Sequence, residues 1–528
     1  MNRFVLLLAV MFPALVCTAQ IQHPAVWLRA DSAVLGAAFW ADVSGNGLDA
    51  IPSTGTMPGT FSRMNFNRCF GTDSARTFTL PLGINDSRQS DVIVVYETFD
   101  TVGENALWQI QLDTATRIGQ TTRRILNDNG QITYDTANRL KPVINYLAQS
   151  WRTPEICAPT LTLCGADSLQ LNGCIAEALY FDHRISDTAV IQWISYLAVK
   201  YGATLSQTDY LDSRRNVIWN YTDYPDYCAS IAGVGRDDST GLCQKQTYYA
   251  DGRMIVGIVE TQNFASLQTE NNEDNPAFIA DGDFIVFGMD GVLPAVTEIY
   301  TQDGATYGVV GRSMAQVTGN AYTYGTFILL DTAAVQDSIA PVLLIDRSGT
   351  GGFPAGETEQ VSCSGTDTAG HYLYNGIHWD TDQNGRDFFC FAVAVPDTGT
   401  PKALSEDSNG QWEMDNVQLE NDGYIMESRF VSCDKSPKGT INGNSPFPIA
   451  RYKLSPNPNH GRFVVEVEYP GEQDVTVTVH DADGRLLLTM TGKGRRTYRF
   501  EGMVETAGTY LVDIASQSGR KTLKMVVN

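Results

Sequence analysis

The sequence predicts an all-β, multidomain protein, and three observations carry the prediction. Short runs of alternating or β-branched apolar residues recur from end to end, separated by loops rich in Gly, Asp, Asn and Thr. One stretch, Ser186 to Gly202, has convincing helical spacing. The chain's 528 residues exceed what one core can bury, so roughly three domains are expected.

Residues 1–19 read as a signal peptide. Arg3 supplies the positive charge, Phe4 to Val16 the apolar run, and Cys17-Thr18-Ala19 the small residue before a cleavage expected after Ala19. Leu15 and Val16 make a poor lipobox before Cys17, so no lipid is expected there. No other run reaches the roughly eighteen apolar residues of a membrane span, and the mature chain is expected to lack one. Export makes disulfides the expectation for Cys69, Cys157, Cys164, Cys174, Cys228, Cys243, Cys363, Cys390 and Cys433. The odd count leaves a thiol over, no CxxC pair suggests zinc, and the connectivity is open.

The first domain is placed at 20–205. Ala25 to Asp31 and Trp40 to Ala50 open it, the latter ending in an Asp/Ser/Gly/Asn turn suited to positive φ. Asp91 to Tyr96 and Cys174 to Phe181 read as buried strands. Ser186 or Asp187 caps the helix, whose stripe of Val190, Trp193, Ile194, Leu197, Ala198 and Tyr201 is expected to be core, and Gly202 ends it. Asp42, Asn46 and Asp49 offer oxygen ligands for calcium or, alternatively, satisfy their own turn. Trp27 and Trp40 lie in strand-like runs and are expected in the core rather than stacked on sugar. The opening turn, together with Ile175-Ala176-Glu177, Tyr180, Arg184 and Tyr196 to Gly202, resembles the two ends of a laminin-G/concanavalin-like jelly roll of Bacteroidota surface proteins. That resemblance implies a fold that hosts sugar binders, protein binders and spacers alike.

Residues 206–446 form the second region, with strand-like runs at Asn216 to Trp219, Met254 to Val259, Phe284 to Phe287, Thr326 to Leu330, Val342 to Ile345 and Phe388 to Val395. One or two sandwiches are expected. The segment Ile231 to Leu242 resembles a module of unknown function that follows this jelly roll in exported proteins. Its Gly233 and Gly235 precede no helix, so no dinucleotide site is expected. Asp380, Asp382 and Asn384, then Gly385 and Asp387, match the first half of a calcium loop, but Phe391 stands where an EF-hand needs Glu. Calcium and an ordinary hairpin turn both remain open. His371 and His378 make a weak transition-metal reading.

The last region, 447–528, alternates strictly: Phe463, Val465, Val467 and Tyr469, then Val475, Val477 and Val479, and finally Leu523, Met525 and Val527. Pro470-Gly471, Asp483-Gly484 and Ser518-Gly519 are expected turns. Its features resemble the C-terminal sorting domain (type A) of the Bacteroidota type IX secretion system. They are Leu454-Ser455-Pro456-Asn457-Pro458, Gly461 with Phe463, Asp483-Gly484, Gly508-Thr509-Tyr510, and Lys521 with Lys524. The resemblance implies a small Ig-like β-sandwich, passage through the periplasm, an outer-membrane translocon and sortase as partners, and a body released or attached to surface lipopolysaccharide.

Net charge is −23, with 11 basic and 9 acidic residues from Arg451 onward against 26 and 51 before it. A body at −25 excludes nucleic acid as a partner. No HExxH, GxSxG or Walker A motif occurs, and the six histidines are scattered. Asp followed by Ser or Thr and a small or aliphatic residue recurs at Asp31, Asp73, Asp100, Asp113, Asp135, Asp167, Asp187, Asp331, Asp337 and Asp367. The pattern resembles the O-glycosylation sequon of Bacteroidota exported proteins, with common loop composition the alternative. The expected function is non-catalytic display at the cell surface, binding carbohydrate or protein as an adhesin does. A secreted polysaccharide hydrolase or its accessory, and a purely structural surface protein, are the alternatives.

Overall fold

The structure is a computed structural model. It describes residues 21–72, 76–83, 87–99, 103–113, 116–127, 130–133, 141–151, 159–166, 169–205, 207–249, 253–259, 269–291, 296–302, 305–331, 340–354, 356–367, 370–394, 451–455, 461–481, 485–504, 506, 508–516 and 519–527. The chain divides into two compact units, Met1–Cys433 and Asp434–Asn528. Strand dominates both, as the alternation predicts.

The first unit begins with a sandwich of antiparallel sheets. One sheet orders Val143–Ser150, Gln89–Thr98, Gly173–Phe181, Asn67–Thr72 and Ser62–Met64, with Val26–Arg29 also paired to Gly173–Phe181. The facing sheet runs Gly130–Thr133, Arg124–Asn127, Arg117–Thr121, Ala106–Gln111, Thr160–Leu163, Phe78–Pro81 and Ile51–Pro52. Alternate residues of both point inward, so Leu28, Phe70, Val94, Ile175 and Tyr180 meet Phe78, Trp108, Ile110 and Leu161 in one core. Trp40 is fully buried there against Phe70 and Phe78, and Trp27 is also buried, as expected.

Helix α1 (Asp187–Tyr201) follows. Ser186 is its N-cap, accepting from Ala189 N, and Gly202 closes it at φ 69°. Twelve of its fifteen residues are buried, far more than one apolar stripe accounts for. The reason is that the helix is covered twice. Trp193 and Tyr196 pack against Trp27 of the sandwich. On another side, Gln192 Nε2 donates to the carbonyls of Asp212 and Ser213, and Val199 lies against Gly233 of the next domain.

Asp91 ties the entry of α1 to the sandwich: its Oδ2 accepts from Ile185 N and Tyr146 OH. Burial raises its pKa to about 6, against the pull of the Arg184 guanidinium and those two donors. A raised acid favours the folded state fully below its unfolded value, and that contribution is lost as pH rises through about 6. Asp91→Asn is therefore expected to flatten the stability change between pH 4 and pH 7, read as unfolding midpoints of both proteins across that range. Parallel curves for the two would refute it.

The second domain is a single sandwich among the described residues. Its eight-stranded sheet orders Leu242–Gln244, Ser230–Asp237, Phe284–Met289, Ala305–Thr318, Arg386–Ala394, Val342–Asp346 and Thr358–Val361, with Val296–Gln302 beside Ala305–Thr318. The opposing five strands are Gln246–Tyr248, Met254–Val259, Gly325–Leu330, Tyr372–Ile377 and Gly365–Thr366. Phe287, Trp379, Phe389, Tyr374 and Ile328 fill the space between.

The second unit is a five-stranded antiparallel sheet ordered Arg451–Ser455, Arg462–Asp481, Gly508–Ser516, Gly519–Val527, with Leu486–Met503 also on Arg462–Asp481. Phe463, Val465, Val467, Val475, Val477, Val479, Met525 and Val527 form its core, matching the alternation. Pro470-Gly471 is not a free turn. Arg462–Asp481 runs continuously as strand, and its register with Leu486–Met503 shifts between Glu468 and Gln473. A bulge absorbs the proline that cannot donate to the ladder. Asp483-Gly484 lies outside the described residues, whereas Ser516 pairs with Gly519 across the third expected turn.

Candidate functional site

A recess of the first unit lies where the two sandwiches meet, and a buried carboxylate builds it. Glu177 is fully buried on the outer side of the six-stranded sheet. It accepts from Trp27 Nε1 at 2.6 Å, Tyr196 OH at 2.8 Å, Tyr201 OH at 2.8 Å and Lys200 Nζ at 2.9 Å. A buried charge survives only when paired and hydrogen-bonded, and here two elements, Val26–Arg29 and α1, supply the donors. Lys200 also pairs with Asp31 at 2.6 Å. Burial alone would lower the Lys200 pKa, but Asp31 and Glu177 outweigh it and raise it, so the ammonium stays charged. Burial pushes Asp31 upward, and Lys200 and Arg29 reverse this to leave its carboxyl below the ordinary value.

The hairpin joining Ser62–Met64 to Asn67–Thr72 forms the neighbouring wall. Its turn residues Asn65 and Phe66 both have positive φ, 46° and 63°, a conformation non-glycine residues hold only when the surroundings enforce it. The enforcement comes from the second domain. Tyr248 OH receives Asn65 N, Asn65 Nδ2 donates to Thr247 Oγ1, and Asn272 N donates to Phe66 O. Asn67 Nδ2 bridges Lys200 O at 2.6 Å and Gln244 Oε1 at 3.0 Å. Further out, Arg63 Nε donates to Asn271 Oδ1, and Arg68 pairs with Glu273.

Between these walls is a cleft of about 280 Å³ lined by Arg29, Arg68, Lys200 and Lys245, by Asp31 and Glu273, by the amides of Asn67, Gln244, Asn271 and Asn272, and by Phe66. Planar amides, both charge signs and an aromatic edge suit a polyhydroxylated ligand, whose hydroxyls both donate and accept. Sequence reading missed this site. The amides come from two domains, and only the Lys200-Tyr201-Gly202 segment carried any signal.

The residues singled out for calcium sit in two well-formed turns. Asp42 accepts Trp27 N and Ser44 N at Oδ1, and Ser44 Oγ and Leu48 N at Oδ2. Asp49 Oδ1 accepts Asp42 N, and Asn46 Nδ2 donates to Ala25 O. In the other turn, Asp380 Oδ1 accepts Gly385 N, Asp382 Oδ2 accepts Asn384 Nδ2, and Asn384 Oδ1 accepts Arg386 N. Asp387 Oδ2 accepts Asp380 N and pairs with Arg347 at 2.5 Å. Burial raises the pKa of Asp380 and of Asp387, the latter despite Arg347. His371 pairs with Asp367, while the carbonyl of His378 receives Arg347. Among the described residues, no group of three or more His, Cys, Asp or Glu side chains is placed to hold a metal. Carboxylate oxygens that accept N–H groups keep a second lone pair for a cation. Thermal melting in EDTA against excess Ca²⁺ separates the two: a fall in EDTA that Asp380→Ala or Asp382→Ala removes establishes a calcium site, and identical curves leave the turn to its own N–H groups.

Of the cysteines expected to pair, Cys69, Cys164, Cys174, Cys228, Cys243, Cys363 and Cys390 are unbridged in the structure, and Cys157 and Cys433 lie outside the described residues. Of the Asp-Ser/Thr triplets, the described hydroxyls are Ser32, exposed, and Thr188, half-buried in the first turn of α1.

In the second unit, Gly461 has φ 95°, and a Cβ there would stand 2.5 Å from Val504 O. Tyr510 is buried and donates its hydroxyl to Thr506 O at 2.6 Å. Gly508 pairs with Val527, and Lys521 and Lys524 pair with Ile514 and Leu511 on the last two strands. Pro456, Asn457, Pro458, Asp483 and Gly484 lie outside the described residues.

Residues 453–528 match a family described as the secretion system C-terminal sorting domain. That match supports export through the type IX secretion system. The chain's destination is the cell surface or the medium, and no helix among the described residues is long and apolar enough to cross a membrane. Residues 191–383 of the chain match a domain of unknown function, DUF8202. That match starts inside α1, so the helix packed on the first sandwich belongs by sequence to the second module. A comparison with curated proteins found no match. Among solved structures, domain 4 of AbnA, a GH43 extracellular arabinanase from Geobacillus stearothermophilus in complex with arabinotriose, is 11% identical, with 32% of this chain and 96% of that one covered at TM-score 0.25. Dimeric latent PorU from Porphyromonas gingivalis is 11% identical, covering 86% of this chain and 31% of that one at TM-score 0.14. A Parabacteroides merdae β-glucuronidase is 9% identical, covering 48% and 28% at TM-score 0.13. At those scores the likenesses carry no argument.

Proposed function

We propose that this cargo is a non-catalytic surface protein that binds carbohydrate in the cleft between its two sandwiches. The first sandwich is taken as a laminin-G/concanavalin-like jelly roll, and the translocon and sortase of the secretion system are its export partners. The observation that supports the reading is the cleft itself: amides and charges from both domains, held by buried hydrogen bonds, converge on one recess. Preorganised polar groups of this kind give affinity because little ordering is left to lose on binding.

The test is a glycan array with the mature chain, with Arg68→Ala and Lys245→Ala as variants in the cleft wall. One glycan class should bind, and each variant should weaken it by about tenfold, the loss of one charge-assisted hydrogen bond. A blank array would shift the role to protein binding or to a spacer. Release of reducing sugar by the mature chain would make it a hydrolase.

A further inference from the structure

We infer that Cys69 and Cys174 form a disulfide in the exported protein, stapling the strand Asn67–Thr72 to Gly173–Phe181. The register places them together. Cys174 lies opposite Gly71 and Ile175 opposite Phe70. Phe70 and Ile175 face the sandwich core, so side chains alternating with them face the other way. Cys174 is one residue from Ile175, and Cys69 is one residue from Phe70; both therefore share the outer face, on the diagonal of adjacent strands. Diagonal neighbours across an antiparallel pair are within reach of each other's side chains. Gly71, directly opposite Cys174, places no side chain between them.

Burial agrees with the register. Being buried beside the Cys174 thiol raises the Cys69 pKa well above its ordinary value. Cys69 is 0% exposed and Cys174 is 2% exposed. Nearby stands Tyr248 of the second domain, whose hydroxyl receives Asn65 N. A bond there would sit beneath the hairpin that carries Asn65 and Asn67, bracing the wall of the cleft. Cys164 is the competing thiol, but it packs within the sandwich core on the opposite face.

The compartment supplies the chemistry. Cargo of this system crosses an oxidising periplasm, where neighbouring thiols do not stay reduced. Formation precedes burial, while the thiols are still open to an oxidant. One thiolate attacks the disulfide of a protein thiol–disulfide oxidant, releasing that protein's leaving thiolate and leaving a mixed disulfide. The second thiolate then attacks the cargo sulfur of the mixed disulfide. The Cys69–Cys174 bond forms and the oxidant's disulfide is broken; the cargo's two electrons and two thiol protons end on the oxidant, which is left as a dithiol. In the folded chain both sulfurs are closed off from reductant.

The protein recovered from the medium tests this directly. It is denatured in excess alkylating agent without reductant, digested and mapped. The Cys69 and Cys174 peptides should appear joined, two hydrogens lighter than their sum, and both should take label only after reduction. Exposed Cys243 serves as the labelling control. Label on Cys69 and Cys174 before reduction, or a bridge from either to another cysteine, overturns the proposal. A second readout avoids dependence on one variant: the double substitution Cys69→Ala, Cys174→Ala should melt lower than the parent in oxidising buffer. The gap should close when the parent is unfolded in reductant, and a gap of equal size in both buffers would count as packing loss rather than a lost bond.

Discussion

Glu177→Ala should cost the first unit about 3–5 kcal/mol, the usual penalty for removing one partner of a buried ion pair. Four donors converge on this carboxylate, from Val26–Arg29 and from α1. Removing the carboxylate leaves Tyr196, Tyr201 and Trp27 with buried polar groups whose acceptor is gone, and each unsatisfied group carries its own desolvation cost. Lys200 keeps Asp31 at 2.6 Å, so the ammonium is not orphaned and the loss stays within that range. Glu177→Gln keeps the shape and one acceptor oxygen but turns an amide N–H₂ toward donors, so it should lie between wild type and alanine. The measurement is denaturant unfolding of all three proteins. A loss under about 1 kcal/mol for alanine would mean that water replaces the carboxylate and that the pocket is not closed. The same variant should also loosen the cleft, because Lys200 O is the acceptor for Asn67 Nδ2.

Period-two alternation made the tail legible residue by residue, since every buried position from Phe463 to Val479 falls where the pattern puts it. The helix was legible as a helix through its stripe, Ser186 and Gly202. Its near-complete burial was not, because the second cover comes from a domain whose contact surface has no local signature. The cleft escaped for a related reason. Asn65 and Phe66 take a left-handed pair without the glycine that would announce it, and Asn67, Lys200 and Gln244 meet only across domains. The aspartate-rich turns were legible as turns. Asp and Asn at alternating positions serve a cation or the loop's own N–H groups equally well on paper.

Gly461→Ala should stop export while leaving the first unit's fold untouched. Its φ of 95° is one that side chains resist, at a cost of about 1–2 kcal/mol. The added Cβ would also stand 2.5 Å from a backbone oxygen, Val504 O. Neither strand end can yield cheaply, because Val504 N donates to Gly461 O at 2.8 Å and closes the junction. Moving them apart breaks that bond, costing about 1 kcal/mol more, in a small sheet with little stability to spare. The strand that starts at Arg462 carries Phe463, whose ring lies over Gly502 and heads the tail's core. Its displacement should therefore spread to the whole sorting domain. The readout is cargo in the medium and on the surface against cargo retained in the cell. Lys521→Glu with Lys524→Glu separates the fold from its recognition: these positions lie on the final strands, opposite Ile514 and Leu511, and a charge reversal there should leave the backbone ladder in place. If that pair is retained in the cell with an unchanged melting curve, the machinery reads charge on the last strand. If it is exported normally while Gly461→Ala is retained, the machinery reads the folded sheet. Normal export of Gly461→Ala would show that the junction of Gly461 and Val504 is not needed by either.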